Sequence, residues 1–190
     1  MRKILLLITA IFWIASLKAQ VQFGLKGGCS LSDLYFSGQT AGNNSRSKSG
    51  FNAGVFSTIH LFNSFLLIPE ISYSEEGLRA EDSSNTVNYN YLNVPILLKY
   101  QHQSGIFIET GPQIGFYLNS NTNLGGMNTD LKSVSNSTAF SWVFGTGYKT
   151  PAFPLGLDIR YNWGISNIET YTIFTTRSSV LQIDLFYVFK

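Results

Sequence analysis

The fold class this sequence predicts is all-β: an eight-stranded antiparallel up-and-down transmembrane β-barrel, preceded by a cleavable signal peptide. Three observations predict it. Apolar residues alternate with period two over eight stretches, so each has one greasy face and one mixed face. Connections between those stretches alternate long, short, long, short, long, short, long, as outer-membrane barrels arrange them. The greasy faces carry no Lys, Arg, Asp or Glu at mid-strand, whereas the mixed faces carry charge, amide and glycine.

Composition points the same way. Of 190 residues, 44% are hydrophobic, 15% aromatic and only 13% charged. A soluble domain averages about 25% charged, so much apolar surface here must face something other than water. The net charge of +2 and the absence of a basic run exclude nucleic acid as a partner. Cys29 is the single cysteine, which rules out an internal disulfide framework and a CxxC zinc site. No cofactor is expected.

Residues 1–19 have the parts of a secretory signal: basic Arg2 and Lys3, an apolar run from Ile4 to Ile14, and a small-residue exit at Ser16 to Ala19. The run is shorter than the ~20 residues a spanning helix needs. The predicted domains are therefore a signal peptide, 1–19, and a barrel, 20–190. With no helix for the purpose, a membrane-bound mature chain must span as a closed barrel, because hydrocarbon offers open strand edges no hydrogen-bond partner.

In chain order, the first strand (Val21 to Tyr35) sets Phe23, Leu25, Cys29 and Leu31 against Gln22, Lys26 and Ser30. A Gly/Ser/Asn-rich stretch, Ser37 to Gly50, reads as a long loop. The second strand, Phe51 to Leu61, sets Val55, Ile59 and Leu61 against Asn52, Thr58 and His60. After a short turn, Phe65 to Glu75 sets Leu67, Ile71 and Tyr73 against Glu70, Ser72 and Ser74. A polar loop with Glu75, Glu76, Glu81 and Asp82 follows, to about Thr86.

Val87 to Leu118 supplies strands four and five, turning near His102. Leu92, Val94, Ile96, Leu98 and Tyr100 share one face, while Tyr91, Asn93, Leu97 and Lys99 share the other. Ile106, Ile108, Ile114 and Phe116 oppose Phe107, Glu109 and Gln113. Asn119 to Ser137 reads as another long loop. Strand six is Thr138 to Lys149, and the stiff turn TPAFP leads to strand seven, Leu155 to Ile165. After a loop to about Ser178, strand eight sets Leu181, Ile183, Leu185, Tyr187 and Phe189 against Gln182, Asp184, Phe186 and Val188.

Each strand reaches the roughly 9–11 residues that cross a bilayer at a tilt. An even count would place both mature termini in the periplasm and four long loops outside. Aromatics gather in two girdles: Phe65, Tyr100, Tyr148, Tyr187 and Phe189 near the short turns, and Tyr73, Phe116, Phe140 and Trp163 near the loops. A lipocalin-like soluble barrel would reverse the faces. Its outer surface would then mix glycine, Leu, Phe and Val with the charges, which counts against it.

LIPEISYSEEG (Leu67 to Gly77), YLNVPILLKY (Tyr91 to Tyr100), FIETGPQIGF (Phe107 to Phe116) and the ending LFYVFK resemble the PorT-like outer-membrane β-barrel family of Bacteroidota, often labelled "porin family". The resemblance covers residues 21 to 190 and is most specific in YLNVPILLKY. It implies an outer-membrane barrel whose partners are outer-membrane lipid, the barrel-assembly machinery, and secretion-system or cell-envelope proteins. No functional residue of that family maps onto this chain. The ending departs from the pattern of many barrels, since Lys190 follows the aromatic Phe189.

Candidate chemistry reduces to the interior charges. Counted from the short-turn end of each strand, Lys26, Glu70, Glu109, Asp158, Arg160 and Asp184 lie at similar heights and should form one belt. An eight-stranded barrel holds little beyond its own side chains, so four acids and two bases there should pair and plug the lumen. A narrow passive channel is the alternative. A lipid-modifying enzyme would have to use His60 with a serine, yet no third member stands at recognisable spacing. No catalytic, cofactor-binding or metal-ligating set is therefore expected.

Overall fold

The computed structural model describes residues 21–37, 45–80, 86–124, 127–129, 138–166 and 175–189. The signal segment, 1–19, lies outside them. Among the described residues nine strands form: β1 (Val21–Ser37), β2 (Ser45–Phe62), β3 (Phe65–Ala80), β4 (Thr86–Gln101), β5 (Ile106–Leu124), β6 (Met127–Thr129), β7 (Thr138–Lys149), β8 (Leu155–Gly164) and β9 (Thr175–Val188). The short β6 pairs only with the far end of β5. The other eight run β4-β3-β2-β1-β9-β8-β7-β5, and pairing of β4 with β5 closes the ring. Every pairing is antiparallel. Closure leaves no edge within the ring, which is the condition for crossing hydrocarbon with strands.

The side chains sort as the period-two pattern requires. Phe23, Ile108 and Leu185 are 64%, 60% and 66% exposed on the outer wall. The buried set inside is mostly polar, including Ser30, Asn52, Ser72, Ser74, Asn93, Gln113, Asn162 and Gln182. A protein that buries its amides and exposes its isoleucines is built for a hydrocarbon solvent outside. Among the described residues, the outward positions of the central wall carry no charge. Cys29 is on this outer face and is exposed.

The short turns are specified locally. At the β2–β3 turn Asn63 takes the left-handed conformation, φ 46°, which asparagine tolerates better than most residues. The β4–β5 turn is closed by Gly105 N donating to His102 O (2.9 Å) and His102 N donating to Ile106 O (2.9 Å). Gly105 has φ 96° there, a value that suits glycine. In the β7–β8 turn Thr150 N donates to Leu155 O at 3.0 Å, and Val188 N donates to Pro154 O at 2.8 Å. The last bond ties this turn to the end of β9. Ring pairs Phe62–Phe65, Phe65–Tyr100 and Tyr187–Phe189, with centroids 5.0, 5.2 and 5.3 Å apart, build the girdle at this end.

At the opposite end the strands run on further than their composition suggests. SRSKSG (Ser45 to Gly50), read as loop, is the start of β2. Glu75 and Glu76, read as loop acids, lie within β3. Asn119 to Leu124 completes the 19-residue β5. At about 3.3 Å per residue and a tilt near 40°, about ten residues cross a ~25 Å apolar band. β8 has 10 residues and fits the band, whereas β1 to β5 have 16 to 19. The wall on the β1–β5 side therefore rises well beyond the bilayer as a collar.

Candidate functional site

The six interior charges lie together, each buried. Strand alternation turns them inward, and the stagger of the sheet brings residues of five different strands to one level. Arg160 on β8 is the hub. Its Nε lies 2.5 Å from Glu109 Oε1 and 2.7 Å from Asp158 Oδ2, and its guanidinium also reaches Glu70 Oε2 at 2.7 Å. Lys26 Nζ lies 2.7 Å from Asp184 Oδ2, 3.4 Å from Glu70 Oε1 and 3.7 Å from Asp158 Oδ2. Glu70 thus joins the two cations. The planar guanidinium suits this role, because its fixed fork of donors reaches several carboxylates at once.

A third base completes the belt. Lys99 Nζ sits 3.0 Å from Glu109 Oε2, opposite it in the β4–β5 register. The alternation of β4 already places Lys99 on the inner face, but its height among the other charges follows only from the pairing of β4 with β5. The available signal was the strand register, since a single turn after Gln101 sets Lys99 against Glu109. The belt therefore holds four carboxylates and three cations.

Below the belt, toward the short turns, lies a layer that the sequence pattern did not disclose. Phe56, Leu66, Ile68, Phe107, Phe186 and Val188 are buried inside the barrel. Phe186 makes edge-on contacts with Phe56 and Phe107, both with centroids 5.9 Å away. Lys99 Nζ stands 3.8 Å over the Phe107 ring and joins the two layers through a cation–π contact. Inner-face glycines make room for the rings. A Cβ on Gly24 would come 2.3 Å from Phe56 Cζ, one on Gly147 2.4 Å from Phe107 Cζ, and one on Gly156 2.1 Å from Phe186 Cζ. These glycines are sockets for the plug. Gly156→Val is accordingly expected to displace the Phe186 ring and cost about 1–3 kcal/mol, read as an earlier urea midpoint by tryptophan fluorescence.

Together the layers close the lumen. The space left among Lys26, Phe56, Ile68, Lys99, Asp158, Arg160 and Phe186 is about 10 Å³. One water needs about 10–15 Å³, so this space holds at most a single water. Beneath the plug an open vestibule of about 710 Å³ is lined by the short turns and includes His60, His102 and Lys149. His60 lies at its rim, exposed. Among the described residues, no group of three or more His, Cys, Asp or Glu side chains could hold a metal.

On the collar side of the belt the interior is polar. Asn93 Nδ2 donates to Ser74 Oγ (2.8 Å), and Ser74 Oγ donates to Glu76 Oε1 (3.1 Å). Ser178 Oγ donates to Glu76 Oε2 at 3.1 Å. Ser32 Oγ donates to Gly77 O at 2.9 Å and pins the upper part of β3. Lys48 Nζ pairs with Glu75 Oε1 at 2.7 Å.

Comparison with known proteins places this architecture. No curated protein sequence matches the chain. Among solved structures, Neisserial surface protein A superposes with a TM-score of 0.57 at 16% identity, covering 88% of this chain and 97% of that one. Ail, the attachment invasion locus protein of Yersinia pestis, solved with the heparin analogue sucrose octasulfate, gives 0.52 at 13% identity, covering 89% and 99%. Both show likeness of fold. The family model "Outer membrane protein beta-barrel domain" matches residues 15–169, well over half the chain. The inverted burial, the closed eight-strand ring and that match agree: this chain belongs to the outer membrane protein beta-barrel domain family, proteins of the bacterial outer membrane.

Proposed function

We propose that the chain is a sealed, non-enzymatic barrel with a structural or interaction role in the cell envelope, its working surface being the collar rather than the lumen. One observation carries this reading: the space left among the belt and phenylalanine side chains is about 10 Å³, no more than one water occupies. Three cations and four carboxylates that contact one another are occupied with holding the wall. The collar, by contrast, presents paired strands well above the bilayer.

In this proposal residues 1–19 are removed on export, both termini face the periplasm and the collar faces outward. The PorT-like resemblance supports secretion-system or envelope proteins as partners, with lipid around the wall and the assembly machinery acting at insertion. A narrow passive channel is the second reading. It is favoured by the polar interior above the belt, where both amide atoms of Asn52 lack a partner.

Planar-bilayer recording separates the two. The purified barrel is expected to show no stable conductance steps, and Phe186→Ala is expected to stay silent while the belt persists. Steady unitary currents from the unmodified protein would replace the sealed barrel with the channel.

A further inference from the structure

Above the belt, a small chamber is sunk into the collar side of the lumen between β3, β4, β5, β7, β8 and β9. It is lined by Glu76, Tyr91, Asn93, Gln113, Asn162 and Ser178 among others. Its inner volume is about 30 Å³, room for about two waters or one ion with a water.

Two independent features mark it. Among the described residues, the Glu76 carboxylate is held only by hydroxyls, Ser74 on one oxygen and Ser178 on the other. Among the described residues, no lysine or arginine pairs with it. Asn162, 3% exposed and on the same lining, has neither its Nδ2 nor its Oδ1 hydrogen-bonded. A buried amide with both atoms unpartnered costs about 1–3 kcal/mol per unsatisfied group, so an occupant that engages it is worth its desolvation.

We propose that this chamber binds one small monovalent cation, an alkali ion or ammonium. A single carboxylate balances a single positive charge. The remaining donors of oxygen, the amides of Asn93, Gln113 and Asn162 and the Ser178 and Tyr91 hydroxyls, are neutral, as a weakly charged ion prefers. A divalent ion would want more carboxylates, and magnesium would keep most of its water, for which the volume is too small. An anion is repelled by Glu76. Gly115 keeps the chamber open, because a Cβ there would come 2.7 Å from Asn93 Oδ1.

The test uses the refolded barrel in detergent, with thermal unfolding followed in sodium, potassium, ammonium and choline chloride at one ionic strength. Equal ionic strength holds screening constant, and choline is too large for the chamber. At least one small cation is expected to raise the midpoint by about 3 °C over choline. Glu76→Gln and Asn162→Leu should each abolish that difference, while Glu75→Gln, which removes the Lys48 pair nearby, should retain it. Identical midpoints in all four salts would mean that the chamber holds water alone and would overturn the proposal. So would a cation effect that survives Glu76→Gln.

Discussion

Replacing Arg160 with alanine is expected to destabilise the barrel by about 3–5 kcal/mol, the range for breaking a buried ionic network from one side. Three carboxylates, Glu70, Glu109 and Asp158, would lose a partner at 2.5 to 2.7 Å. Lys26 and Lys99 would remain, but Lys26 reaches Asp158 only at 3.7 Å. The measurement is the urea midpoint of the refolded barrel, with the heat-modifiable band on a gel as a second readout. Arg160→Lys should recover only part of the loss, because one ammonium cannot span three carboxylates as the guanidinium fork does. A midpoint unchanged in Arg160→Ala would mean that the three carboxylates do not depend on the guanidinium. Apolar replacement of the whole belt measures something else, its net contribution, which approaches zero when desolvation cancels attraction.

The second large effect is expected on the outer wall. Ile159 is the fifth of ten residues in β8, 40% exposed, and lies beside Ile183 of β9 in register. Ile159→Arg puts a charge near the middle of the apolar band, with a cost of about 2–4 kcal/mol. The same substitution at Ile165, beyond the end of β8, should cost about 0–1 kcal/mol, the value near an interface. Folding into phospholipid vesicles, followed by the shift of the folded band, checks both. Equal tolerance at the two positions would contradict a bilayer around this wall and return the soluble barrel to consideration.

Much of this architecture was legible because a strand sends alternate side chains to opposite solvents. When one solvent is hydrocarbon and the other a polar lumen, the alternation is sharp, as in Leu92 to Tyr100. The depth of the six belt residues could also be counted, since the short turns give each pair of strands a common origin. Three things were not legible. The Lys99–Glu109 contact depends on register rather than on position along one strand. The phenylalanine layer depends on facing glycines: Phe186 looks like an intruder on a polar face until Gly156 is seen across from it. The collar was hidden by composition, because Ser, Asn, Gly and Lys in Ser45–Gly50 carry a loop signature. That signature reflects exposure to water, which a strand above a bilayer shares with a loop.

The belt also has a temporal meaning. Arg160 meets a partner 90 residues away at Glu70 and another 51 away at Glu109, while Lys26 on β1 meets Asp184 on β9. The Lys26–Asp184 pair bridges the first and last strands and the Arg160–Glu70 pair spans the lumen, so both await the rolling and closing of the sheet, whereas Arg160 and Glu109 are joined through β7 alone. Contacts that arise only after the rate-limiting step leave the folding rate nearly untouched and slow the reverse reaction. The charged layer would then act as a latch. It would add little to how fast the chain inserts and much to how long it stays, so its variants should differ from the parent chiefly in the rate at which the seam between first and last strands comes open.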